Sequence, residues 1–173
     1  QMFPVSSFES YFDKLARPSK YDPKEVIFIK RLLQNELDED LAKIFINHLF
    51  EKFVGVNDAV LNQELYMNDR HIQCMYRHGM HFGVIGYSHK RLSSLTFQEQ
   101  KEEITTSIDY LKNLGIDEKQ LTVSYPWNDF NIDTIDILKT HSIKAAFRGG
   151  SEPANLEAHD RYSLPRFDTN DFL

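Results

Sequence analysis

The stretch His81-Phe82-Gly83-Val84-Ile85-Gly86-Tyr87-Ser88-His89, with Thr96-Phe97-Gln98-Glu99 close behind it, decides the fold. His81 to Ile85 is a short apolar run that reads as a strand, and a polar loop follows through Arg91. Thr96 with Glu99 three positions on is the signature of a capping box. Phe97, Ile104, Ile108 and Leu111 then recur at helical spacing as the buried stripe of the helix it starts, and Gly115 ends that helix. The alternation repeats downstream. Leu121 to Tyr125 reads as a strand, Pro126 to Phe130 as a loop, Asn131 as the cap of a helix carrying Ile135 and Leu138, and Ile143 to Phe147 as a third strand. Residues 148–163 read as loop, and Leu164-Pro165-Arg166-Phe167 as a short last strand. Strands separated by helices imply parallel βαβ units, an α/β fold.

Upstream the grammar is helical. Asp22-Pro23 suits an N-cap and first helical position ahead of Val26, Ile29, Leu32 and Leu33. Acidic Asp38, Glu39 and Asp40 favour a second helix start through the macrodipole. Its apolar stripe is Leu41, Ile44, Phe45, Leu49 and Phe53, and Gly55 is a natural stop. A third helix is expected over Asp69–His78, ending at Gly79. The chain thus reads as one domain over residues 1–173, with 1–79 as helical scaffold and 80–173 as βα units carrying a site.

The bulk composition narrows the function classes. The 173 residues are 41% apolar and 13% aromatic, which suits a folded chain with a real core. A net charge of −6, with no basic stripe, argues against nucleic-acid binding. Cys74 is the single cysteine, so neither an internal disulfide nor a thiol cluster is available. This is compatible with a cytoplasmic location. Cys74 itself reads as buried helix packing. No run approaches the roughly 18 apolar residues of a membrane span, and no signal peptide opens the chain. The sequence starts at Gln1 rather than Met, which leaves open that it is a fragment.

Parallel α/β architectures place ligands at the carboxyl ends of their strands. His89 and Trp127 lie 38 positions apart but both follow strands, so their loops should converge. Arg148 and Gly149-Gly150 follow the third strand and should join the same edge.

The residues from His78 to Thr96 resemble a central motif of the polysaccharide deacetylases (carbohydrate esterase family four type), in which a strand ends in a His-x-x-x-His pair. Ser124-Tyr125-Pro126-Trp127-Asn128-Asp129-Phe130-Asn131 is similar to that family's Arg-x-Pro-aromatic-Gly turn before an Asn-started helix. The end, from Asn155 through Leu164-Pro165-Arg166 to Asp171, is similar to bacterial members associated with surface glycans. The resemblance covers about residues 60–173. It implies a partial or distorted (β/α) barrel and a divalent metal, often zinc, held by one Asp and two His. That metal lowers the pKa of bound water, and an Asp base and a His acid help hydrolyse the acyl group of an acetylated sugar.

Three positions depart from the pattern. The first His of the pair falls on Ile85, which offers no lone pair, while the second is retained as His89. The Arg before the Pro-aromatic turn falls on Ser124, and no strand carrying the family's Asp pair is visible, although Met2-Phe3-Pro4 reads as the tail of a strand that would follow it.

His89 is therefore the metal-ligand candidate, against the plain reading of a loop histidine bonded to backbone. His81 shares a face with Ile85 by strand period and reads as a displaced ligand or a strand histidine on a polar face. Trp127 offers a ring face for a sugar or a plug for the barrel mouth. With Tyr125 and Asp168 it forms the substrate-binding set. Asp129, His159 and Arg166 form the catalytic set, with His159 as the titratable acid. Their ordinary alternatives are a turn aspartate, a solvated loop histidine and a surface ion pair of Arg166 with Asp168. Glu99, Glu102 and Glu103 read as a solvated helix face.

Two functions follow as expectations. One is a deacetylase-like hydrolase removing N-acetyl or O-acetyl groups from bacterial surface sugars. The other is an inactive relative that binds glycan or assists a sugar-modifying enzyme. A third reading, a structural fragment completed by missing strands, stays open. The expected partner is a carbohydrate, and an oligomer is not excluded.

Overall fold

The structure is a computed structural model and describes residues 8–19 and 21–172. Met2-Phe3-Pro4 lies outside the described residues. The chain divides into two compact units, Gln1–Leu65 and Tyr66–Leu173.

The first unit holds α1 (Phe8–Leu15), α2 (Lys24–Arg31), a π-helical turn at Leu32–Glu36, α3 (Glu39–Phe53) and α4 (Asp58–Leu65). Pro23 is the N-cap of α2, one place later than the expected Asp22, with extended backbone at φ −65° and ψ 159°. Asp38 caps α3 by accepting from Asp40 N at 3.0 Å, as the acidic start implied. Phe28 anchors the unit's small core, with Phe12 at 5.0 Å and Phe8 at 5.5 Å between ring centroids. The expected stripe of α3 is not buried. Ile44, Phe45, Leu49 and Phe53 are all exposed, and the buried residue of that helix is Ala42.

The second unit carries α5 (Asp69–Arg77), β1 (Gly83–Val84), α6 (Phe97–Asn113), β2 (Thr122–Ser124), α7 (Ile132–Thr140), β3 (Ala145–Gly149) and β4 (Leu164–Arg166). The four strands are parallel and ordered β1-β2-β3-β4, with Val84 opposite Val123, Val123 opposite Ala146, and Phe147 opposite Leu164. Right-handed crossovers between successive neighbours put α6 and α7 on the same face of such a sheet, as in a barrel. The two helices indeed pack side by side. β1, β2 and β4 are shorter than the apolar runs suggested, while β3 keeps its expected length but is shifted along the chain to Ala145–Gly149.

The core is built from the sequence's own punctuation. Ile104, Ile108 and Leu111 of α6 are buried against Val84, Val123 and Ala146 of the sheet and Ile137 and Leu138 of α7. Phe97, placed in the buried stripe by its spacing, is instead half exposed, because it is the first residue of α6 and precedes the sheet-facing turns. Gly115 ends α6 with φ +90°.

Both helix starts carry capping boxes, Thr96 with Glu99 and Asn131 with Thr134. The two are joined beneath the surface by fully buried Gln100. Thr134 Oγ1 donates to Gln100 Oε1 (2.5 Å), and Gln100 Nε2 donates to Leu95 O (3.1 Å) and Asn131 Oδ1 (3.3 Å). This polar node fixes the N-termini of α6 and α7 relative to each other, and both follow the loops that leave the carboxyl ends of β1 and β2. Among the described residues no helix is long and apolar enough to cross a membrane.

Candidate functional site

All four non-glycine residues with positive φ among the described residues lie on loops that leave the carboxyl edge of the sheet. His89 (φ 58°) follows β1, Trp127 (57°) and Asn128 (56°) follow β2, and Ser151 (48°) follows β3. Each such conformation costs about 1–3 kcal/mol and persists only where neighbours over-determine it. Strain of this kind collects at functional sites, so the edge named by topology is also the edge that the backbone marks.

The loop after β2 over-determines it. Ser124 Oγ accepts from Arg166 Nη1 of β4 at 3.0 Å. Trp127 Nε1 donates to the carbonyl of His89 on the β1 loop at 3.0 Å. Asn128 Oδ1 accepts from Gly149 N at the end of β3 at 2.7 Å. Asp129 Oδ1 accepts from Ser93 N at 2.7 Å, in the 3-10 turn Leu92–Ser94. Residues 124–129 thus bond to the loops or ends of all three other strands. A Cβ at Gly149 would lie 3.4 Å from the Asn128 amide, so the two loops are in close van der Waals contact here. After β3, Ser151 Oγ donates to Asp171 Oδ2 at 2.9 Å, which also accepts from Asp168 N at 2.7 Å.

His89 and Trp127 meet edge to face, with ring centroids 5.3 Å apart, and the Arg91 guanidinium lies 5.3 Å from the Trp127 ring centre. Trp127 remains 44% exposed, enough to leave ring surface open to a ligand. Neither ring nitrogen of His89 is hydrogen-bonded among the described residues. Asp129 keeps Oδ2 without a partner within the same set, and Arg166 has donors left beyond its bond to Ser124.

Other expected site residues lie elsewhere or are differently engaged. Tyr125 is core rather than a substrate contact. It is 3% exposed, its ring stacks on Phe130 at 4.1 Å, and its hydroxyl donates to the carbonyl of Tyr162. Burial raises its pKa above the ordinary tyrosine range, with Asp160 and Tyr162 adding to the effect. His159 is folded into its own turn, accepting from Asn155 N at 3.0 Å through Nδ1. That turn lies on the way back to the start of β3, where Arg161 O accepts from Ala146 N at 2.9 Å, so the structure does not bring His159 to His89 and Trp127. Arg166 and Asp168 form no ion pair: Arg166 bonds Ser124, while Asp168 Oδ1 accepts from Asn170 N at 2.8 Å.

His81 is exposed and precedes β1. Cys74 is exposed, not buried, with Sγ 3.8 Å from His78 Nδ1. Glu103, read as solvated, instead accepts from both the backbone N–H (2.8 Å) and the hydroxyl of Ser88. Helical periodicity could not reveal that, because the partner comes from another element.

Among the described residues no three His, Cys, Asp or Glu side chains converge as a metal site. Ile85 is 42% exposed beside β1 and contributes no ligand atom. A divalent ion in such a site needs three N or O ligands with an open position, and among the described residues no such trio gathers around His89, so they do not fit that requirement.

The family profile described as "Polysaccharide deacetylase" matches residues 49–146, more than half of the chain. No curated protein matches the sequence. Among solved structures, the Streptococcus pyogenes deacetylase PplD in complex with acetate is similar, at 25% identity and a TM-score of 0.52. The match covers 58% of this chain and 44% of that one, so this chain spans less than half the length of its relative. The α/β fold with its parallel sheet is thereby a partial barrel of the deacetylase type. Sheet order, the two capped helices and the matched profile agree, and the chain belongs to the polysaccharide deacetylase family.

Proposed function

We propose that this protein is a polysaccharide deacetylase-like hydrolase that removes N-acetyl or O-acetyl groups from bacterial surface sugars at the carboxyl edge of its sheet. The observation that carries the reading is the meeting of strained His89 and Trp127 on loops from two different strands, held by a direct hydrogen bond. Trp127 offers its exposed ring to the C–H face of a pyranose. The unengaged imidazole of His89 suits polarisation of the acyl carbonyl, and Asp129 Oδ2 suits proton acceptance from the attacking water. Arg166, tethered to Ser124, presents donors for the negative charge that develops on the acyl oxygen and remains on released acetate. Water adds to the acyl carbon, the C–N or C–O bond breaks, and the proton passes to the leaving amine or alkoxide. No step is assigned to a metal, since among the described residues no three ligand side chains come together.

A second reading is favoured by Ile85 and by the lack of a ligand cluster among the described residues: a non-catalytic relative that holds glycan on Trp127. Acetate release from a chitin oligomer and from a generic acetyl ester, with and without added zinc, separates the two. The hydrolase reading expects release that falls about 100-fold in His89→Ala, a typical loss for one catalytic group. Sugar binding that is lost in Trp127→Ala, with no turnover under any condition, would establish the binder instead. A protein that neither binds nor turns over these sugars refutes both.

A further inference from the structure

The geometry points to Glu103 as the positioning residue of the site, the group that holds the β1 loop so that His89 meets Trp127. Glu103 lies on α6, away from the carboxyl edge in sequence, yet both of its carboxylate oxygens close on one residue of that loop. Oε2 accepts from Ser88 N at 2.8 Å and Oε1 accepts from Ser88 Oγ. A carboxylate taking two donors from a single serine fixes that residue in position and orientation, and hydrogen bonds to a charged acceptor are the stronger kind.

The next residue is His89, in the left-handed region at φ 58°, whose carbonyl then accepts from Trp127 Nε1 at 3.0 Å. A continuous chain of contacts runs Glu103, Ser88, His89, Trp127. The loop is also shaped to admit the carboxylate. Gly86 has φ +83°, and a Cβ there would lie 3.5 Å from Glu103 Oε2 and 3.6 Å from Pro126 Cγ, so the backbone threads between α6 and the β2 loop. Without the clasp, nothing else among the described residues bonds the Ser88 amide or hydroxyl, and the strained conformation at His89 loses its upstream support. Glu103 touches neither the His89 ring nor Trp127; it acts through Ser88.

The consequence for sugar binding rests on the reading of Trp127 as a platform, but the clasp itself does not. Trp127 is the single tryptophan of the chain, so its fluorescence reports the edge directly. In the full chain, Glu103→Ala is expected to raise acrylamide quenching of Trp127 about 2-fold and to weaken chitin-oligomer binding about 10-fold, the scale of a lost charged hydrogen bond. Ser88→Ala should give much of the same change, and the double variant no more than Glu103→Ala alone, because the two act as a unit. Should Glu103→Ala fail to fold, Glu103→Gln decides, since it keeps the length and one acceptor and should give an intermediate quenching change. Unchanged quenching in folded Glu103 variants, or additive effects of Ser88→Ala and Glu103→Ala, would overturn the inference. If the wild-type protein binds no chitin oligomer while quenching still responds as stated, the clasp stands and the sugar reading falls.

Discussion

Thr134→Val is the sharpest test of how the site edge is held, because it changes one buried hydroxyl to a methyl of nearly the same shape. Thr134 and Gln100 are both fully buried. The Thr134 hydroxyl donates to Gln100 Oε1 at 2.5 Å, in preference to Asn131 Oδ1 at 3.1 Å, and accepts from Asn131 N at 3.1 Å. Valine removes both bonds and strands Gln100 Oε1 out of reach of water. An unsatisfied buried acceptor costs about 1–3 kcal/mol. The half of the capping box made by Asn131 N adds about 0.5–1 kcal/mol, partly recovered by solvent because Asn131 is half-buried. The expected loss is therefore about 1.5–4 kcal/mol, or roughly a 6–18 °C fall in melting temperature for a unit of this size. Thr134→Ser is the control. It keeps every hydrogen bond and loses a methyl worth about 0.8 kcal/mol. Thermal melts followed at Trp127, the single tryptophan and a member of the unit in question, measure both variants. If Thr134→Val melts at or above Thr134→Ser, the polar node does not hold α6 to α7 and the account of the edge is wrong.

Gly83→Ala should split the β1–β2 pairing, since the added Cβ would stand 2.7 Å from Thr122 Oγ1 and 2.8 Å from the Thr122 carbonyl. The hydroxyl can rotate away but the carbonyl cannot, so a loss of about 1–3 kcal/mol is expected in urea unfolding, and adding Thr122→Ala should not restore it; wild-type stability in Gly83→Ala would refute the close approach. Tyr125→Phe tests the buried phenol. Because burial raises its folded pKa, the native state holds the proton more tightly than the unfolded chain, so its contribution is complete below about pH 10 and is lost as pH rises further. Urea titrations from pH 7 to 11 should show Tyr125→Phe less stable at neutral pH by about 1 kcal/mol for the lost bond to Tyr162, with the gap narrowing above pH 10; a constant gap would show that Tyr125 is not held protonated.

Much of the second unit was legible because its signals are local. Thr96 with Glu99, Asn131, Gly115 and the three apolar runs each announce an element by chemistry that acts within a few residues, and the structure has them all. The meeting of His89 and Trp127 was legible for a topological reason, since parallel strands in sequential order bring their following loops to one edge. What stayed hidden depends on partners far along the chain. Arg166 bonds Ser124 across β3, and Glu103 bonds Ser88 from a helix face that looks solvated by period alone. Tyr125 adjoins a motif turn and so reads as part of the site, yet strand alternation turns its ring inward onto Phe130. His159 sits in a similar-looking segment but closes on Asn155, four residues away.

The edge also separates shape from metal chemistry. Four strained residues cost about 1–3 kcal/mol each, and four cross-loop hydrogen bonds from Ser124, Trp127, Asn128 and Asp129, with the Glu103 clasp, offset that strain using this chain's own groups. None of these bonds runs through a metal ligand cluster. The edge is thus held by hydrogen bonds among this chain's own groups, and the Ile85 side chain takes no part in them. It follows that variants of Ser88, Asn128 or Glu103 should disturb the site's form more than a change at Ile85, whereas Ile85→His should add an imidazole beside β1 and leave the quenching of Trp127 unchanged.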